Sequence, residues 1–176
     1  VLREQGVEAA RVLGVGFGAV VALELALAEP EMVESAVLLE PPLLDTLTAA
    51  TEGMSLDVAA IRDAAEEGGE AAVWSLFLSG GLPTLGAGAE RLSETADQGP
   101  DAPHTLLVEL PAVSAWPLDP VRVSGLDAPV IVATSPHSPS LLVEAADALL
   151  PRIPGSERVV ADLDGPAGLA GLVREP

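Results

Sequence analysis

The sequence contains no cysteine, no lysine and no tyrosine, and only two tryptophans and two phenylalanines. Without thiols there is no disulfide framework, no thiolate nucleophile and no cysteine-ligated metal site. The basic residues are all arginine, eight against 27 acidic residues, which gives a formal net charge of −19 at pH 7. A chain so acidic repels phosphate backbones and anionic bilayers, so nucleic-acid or membrane-surface binding through a basic patch is excluded. Histidine is scarce as well. His104 and His137 stand far apart without clustered carboxylates, which argues against a metal centre, and no cofactor is expected. Long apolar runs are few. The strongest, Val12–Ala28, contains Glu24 and a cluster of glycines near its start, and reads as a buried strand and helix rather than a membrane span. No basic segment precedes it as a secretory signal would require, so a cytoplasmic protein is expected.

What the sequence has in quantity is Ala, Leu, Val, Gly and Pro. Hydrophobic residues make up 49% of 176 residues, enough for a packed core and too many for a disordered chain. An arginine-only basic set in this background points to a GC-rich, bacterial genome. The first residue is Val1, consistent with a fragment, a processed product or an alternative start codon.

Local patterns give the organisation. Ala10–Val15 is a short apolar run that ends among Gly14, Gly16 and Gly18, and Phe17–Ala28 is a nearly unbroken Ala/Val/Leu helix stopped by Glu29-Pro30. Ser35–Glu40 is a second buried strand, closed by Pro41-Pro42, so residues 1–42 predict a parallel βαβ unit. Residues 43–125 read as a helical insertion. Patterns such as Val58–Glu67 and Glu70–Leu78 are separated there by Gly- and Pro-rich breaks, and the acidic Glu66-Glu67 pair is a solvated face. Residues 126–176 return to the core, with strands at Val130–Thr134 and Glu157–Leu163 around a helix at Leu141–Leu150. The expected fold class is α/β: a mostly parallel sheet of about four strands, flanking helices and a helical cap insertion.

Two mechanisms compete for Gly14–Ala19, GVGFGA. One is a dinucleotide fingerprint, with Glu40 at the end of the next strand placed to hydrogen-bond a ribose and the glycines admitting a pyrophosphate to the helix N-terminus. The other is a nucleophile elbow, G-x-S-x-G, with its central residue replaced.

The flanking sequence favours the elbow. Leu2–Pro42 carries, in order, Gly6-Val7, the elbow at Gly14–Gly18, a long Ala/Leu helix, Glu29–Val33 and the apolar strand ending at Glu40. This order resembles the central segment of α/β-hydrolase-fold proteins, esterases and epoxide hydrolases with a cap. Asp127–Pro139 is similar to that family's penultimate strand and acid-bearing loop, and Arg158–Gly168 to its last strand and histidine-bearing loop. The insertion then corresponds to the variable cap.

The resemblance implies a serine nucleophile, a histidine base and an orienting acid. This chain has Gly16 at the serine position, His137 at the acid position and Gly168 at the histidine position. Glycine tolerates the strained elbow conformation that the family imposes on its nucleophile, so Gly16 keeps the turn while deleting the hydroxyl. Glu40 stands where some members of the family place their acid, and is the remaining alternative. The expectation is a non-catalytic or impaired hydrolase-like protein that binds a small apolar ligand or a partner. Gly14, Phe17, Trp74, Phe77, His104 and Trp116 are the candidate ligand-binding residues. The alternatives are an active hydrolase or lyase with a non-standard site, and a nucleotide-binding βαβ module. The strands that precede the elbow strand in the family are not among these residues. The elbow strand is therefore expected at a sheet edge, covered by a homodimer or by an N-terminal segment.

Overall fold

In the computed structural model the described residues are 3–43, 46–82, 108, 112–113, 116–161 and 171–172. The chain divides into two compact units, 1–43 together with 118–176, and 44–117.

The first unit is built on β1 (Ala10–Val15), α1 (Phe17–Ala28), β2 (Val33–Leu39), α3 (Pro120–Ser124), β3 (Val130–Thr134), α4 (Ser140–Leu149) and β4 (Glu157–Val160). The second contains α2 (Thr48–Leu78). The four strands form one sheet in the order β1-β2-β3-β4, and every pair is parallel. The strand after the elbow starts at Val33, two residues before the sequence pattern places it, and stops at Leu39, leaving Glu40 outside the ladder.

The central strands are apolar over the length where they pair with one another, while Glu34 near the start of β2 is exposed. Ala36, Val37, Leu38 and Leu39 of β2 and Val130, Val132 and Ala133 of β3 are all buried. One sheet face carries a cluster of Val37, Leu39, Ala133 and Leu172, with Leu13, Ile131, Val159 and Ala161 packed against it. α1 buries Ala19, Val20, Ala22, Leu23 and Ala26. Its outer side is also apolar, and Val21 there remains 53% exposed.

Ion pairs tie the unit's periphery. Arg122 reaches back to Glu24 of α1 at 2.8 Å, and the hydrogen bond it donates to the Glu24 carboxylate holds its guanidinium above the usual arginine range. Arg158 donates to Asp147 at 2.8 Å and to the Thr134 hydroxyl at 2.7 Å, so one guanidinium links β4 to α4 and β3. Asp119 caps α3 by accepting from the backbone N–H of Val121 at 2.9 Å, the usual service of an aspartate at a helix start.

In the second unit, α2 is interrupted at Gly69, where φ is 64° and ψ is −158°. The break falls between the two helical patterns visible in the sequence. Ile61, Val73, Phe77 and Leu82 form the buried cluster, with Trp74 packed against it. No helix among the described residues is long and apolar enough to cross a membrane.

The tightest packing constraint is at Gly14. A Cβ built there would lie 2.1 Å from the Gly18 carbonyl oxygen and 2.6 Å from Ala19 Cα, both backbone atoms that cannot rotate aside. Gly14→Ala must therefore push β1 and α1 apart. We expect it to cost roughly 3 kcal/mol or more, read as a drop in the urea midpoint by circular dichroism.

Candidate functional site

Parallel pairing brings the ends of β1, β2 and β3 to one edge of the sheet, where open α/β sheets place their sites. The alignment is fixed by backbone bonds just past each strand. The Gly16 N–H donates to the Leu39 carbonyl, the Glu40 N–H to the Ala133 carbonyl, and the Ala161 N–H to the Thr134 carbonyl, each at 2.9 Å. Gly16, Glu40 and Ser135 thus follow one another across this edge.

Gly16 joins β1 to α1 with φ 54° and ψ −122°. Its carbonyl accepts from the Ala19 N–H at 2.9 Å, which closes the first turn of α1. This is a backbone conformation that L-residues enter only at a cost of roughly 1–3 kcal/mol. No atom lies within 4 Å of where its Cβ would stand, so the turn leaves room for a side chain that the sequence does not provide.

Glu40 shares the strain. With φ 48° it is the described non-glycine residue in the left-handed region. Its carboxylate accepts a hydrogen bond from the Ser138 hydroxyl. Ser138 Oγ accepts in turn from the Ser135 N–H at 2.7 Å and lies 3.2 Å from Ser135 Oγ. Because the single Ser138 proton goes to Glu40, the contact between the two hydroxyls is a donation from Ser135. The Ser135 hydroxyl accepts from the His137 N–H at 3.2 Å, which completes the loop.

The candidate residues fall out as follows. Gly14, Gly16, Phe17, Glu40 and His137 belong to the first unit. His137 contributes its backbone to the loop while its side chain is exposed. The side chain that turns toward Glu40 is its neighbour, Ser138. Trp74 and Phe77 belong to the second unit, where their rings stack at 5.4 Å and 24° within its core cluster. Trp116 is half-buried in the same unit. His104 and Gly168 lie outside the described residues.

Chemically, the cluster at the strand ends is a carboxylate held by hydroxyls. A carboxylate is a weak base toward a serine hydroxyl, and triads use imidazole for that transfer. Glu40 and Ser138 can orient a hydrogen-bonding group, but they do not by themselves make an activated nucleophile. Among the described residues no group of His, Asp or Glu could hold a metal ion. A cavity of about 60 Å³ sits at the opposite ends of β2, β3 and β4, lined by Ser35, Pro129, Glu157 and Leu172 among others. It is far smaller than the roughly 300 Å³ at which small-molecule pockets begin.

No protein-family model matches the sequence, and no curated protein matches it. Solved structures do. An α/β hydrolase from Sphaerobacter thermophilus superposes with a TM-score of 0.63 at 19% identity, covering 97% of this chain and 68% of its own. The chain has the α/β-hydrolase fold. A hydrolase from Pseudomonas aeruginosa matches with a TM-score of 0.60 at 20% identity, over 90% of this chain and 58% of its own. An enol-lactonase from Burkholderia xenovorans gives 0.60 at 17%, over 92% and 60%. This α/β-hydrolase-fold chain therefore spans about three-fifths to two-thirds of the length of the structures it resembles. The turn at Gly16 follows β1, and Glu40 and the Ser135–Ser138 loop follow the next two strands.

The open space at Gly16 separates geometry from chemistry. Gly16→Ser is expected to fold, with a loss of roughly 1–3 kcal/mol from the backbone strain alone. Its urea midpoint should stay above that of Gly14→Ala, where the clash is with backbone.

Proposed function

We propose that this chain is an α/β-hydrolase-like protein whose catalysis is lost or strongly impaired, and that the retained scaffold binds a small apolar molecule. The observation that carries this reading is Gly16. The turn after β1 holds Gly16 at φ 54° and bonds it to Leu39 of β2; read as the family's elbow, it carries no hydroxyl to attack a substrate. Restoring the fold's usual chemistry would need a nucleophile at Gly16 and an imidazole within reach of it. The described part of the first unit offers His137, whose side chain is exposed and makes no hydrogen bond to either loop serine.

One observation favours a second reading, a working hydrolase with a non-standard site. Glu40 keeps a costly backbone conformation and a dedicated hydrogen-bond donor at the strand edge. A nucleotide-binding role has less behind it. Gly14 is required by the close approach of β1 to α1, and the Glu40 carboxylate is already engaged by Ser138.

Incubation with p-nitrophenyl butyrate and a fluorophosphonate probe decides between the first two readings. We expect no covalent labelling and no turnover above buffer. Turnover that disappears in Glu40→Gln would establish the second reading and overturn the first. For binding, a short-chain alkyl methyl ketone should produce a saturable change in tryptophan fluorescence, and a strictly linear response would remove the ligand proposal.

A further inference from the structure

The hydrogen bonds at the ends of β2 and β3 all run in one direction. The His137 N–H donates to Ser135 Oγ at 3.2 Å, and the Ser135 N–H donates to Ser138 Oγ at 2.7 Å. Ser138 gives its one hydroxyl proton to Glu40 Oε1, and Ser135 gives its own to Ser138 across 3.2 Å. Both hydroxyl protons are therefore engaged inside the cluster, and the series of donors ends on a carboxylate. Bonds aligned in this way polarise one another toward the last acceptor. What the cluster offers outward is acceptor capacity alone. A carboxylate has about four lone-pair sites on its two oxygens, and among the described residues Ser138 is the one side chain that donates to Glu40.

The charge balance points the same way. Glu40 is half-buried, and among the described residues no arginine pairs with it. Arg3 meets Glu29 and Glu31, Arg11 meets Glu34, Arg122 meets Glu24 and Arg158 meets Asp147. A carboxylate partly withdrawn from water gains most from a cation that also donates hydrogen bonds. A ligand carboxylate or phosphate would meet Glu40 with like charge and no hydroxyl proton to receive. A ketone would present an acceptor to acceptors. An alkylamine is protonated at neutral pH and brings one positive charge and three donors.

We infer that the ligand taken up at this strand edge is an apolar primary amine, with its ammonium on Glu40 Oε2 and its hydrocarbon part beside Gly16. Gly16 is bonded to Leu39, the residue before Glu40, and no atom lies within 4 Å of where its Cβ would stand. The inference rests on the small-ligand reading above and adds the charge of the ligand to it. The left-handed backbone of Glu40, φ 48°, fits the same role, since strain of this kind persists where a side chain must be presented at a fixed place.

Three probes with the same pentyl chain test it: pentylamine, methyl pentyl ketone and hexanoate, titrated at physiological salt and followed by ligand-detected NMR. Pentylamine should bind about tenfold more tightly than the ketone, and hexanoate more weakly than either. Glu40→Gln should abolish the amine's advantage and leave the ketone's affinity unchanged. Glu40→Gly should do the same in a chain that folds without the left-handed strain. Glu144→Gln removes one charge from an exposed position on α4 and should alter neither affinity. Ketone binding with no preference for the amine would overturn this inference and leave the small-ligand reading standing, whereas binding of neither probe would remove both. An amine preference that survives in both Glu40 variants, or that Glu144→Gln lowers equally, would belong to the net charge of the chain and would also overturn it.

Discussion

The close approach of β1 to α1 at Gly14 is the constraint on which the first unit depends. A strand and a helix joined by a single residue can pack only if the backbone of one touches the backbone of the other, and here a methyl group at Gly14 would collide with the Gly18 carbonyl. That contact forces the chain to reverse within one residue, which puts Gly16 at φ 54°. The reversal lays α1 across β1 and β2, and the buried Ala and Leu residues of the helix then cover one face of the sheet. β2, β3 and β4 add to this nucleus in sequence order, each parallel to the last.

The same constraint shapes the turn at Gly16 through the backbone alone. This turn is specified by glycines and by backbone hydrogen bonds, none of which requires a side chain at position 16. A serine in the turn would have to withstand the strain, whereas glycine carries it at little cost. Glu40 shows the opposite balance. It bears a left-handed backbone with a full side chain, and the Ser138 hydrogen bond is the compensation visible in the structure. Two neighbouring strand ends therefore respond differently to the same edge.

Much of the fold was legible because its signals are local. The apolar run of β1, the glycine cluster, the Ala/Leu helix and the break at Glu29-Pro30 all act within a few residues of one another. The interruption of α2 at Gly69 also lies where the two helical patterns separate. The site was legible only in outline. Glu40 and Ser138 are 98 positions apart, and no periodicity connects them. Within the loop after β3, the sequence cannot tell whether His137 or Ser138 turns inward, because an irregular segment has no repeating direction for its side chains. Trp74 and Phe77 illustrate the same limit on a helix, where one spacing serves a binding pocket and an ordinary core equally well. Their stacking inside the second unit's cluster came from the structure.

By itself the composition determined the charge of this chain, eight arginines against 27 acidic residues, because formal charge does not depend on the fold. The sequence also determined the strand-turn-helix at Gly14–Ala28, because glycine and apolar patterning act through the backbone of adjacent residues. Only the tertiary structure decided that Glu40 meets Ser138 and that the His137 side chain lies exposed. Those outcomes depend on which distant segments pack together, and packing is chosen by the whole sheet rather than by any stretch of it.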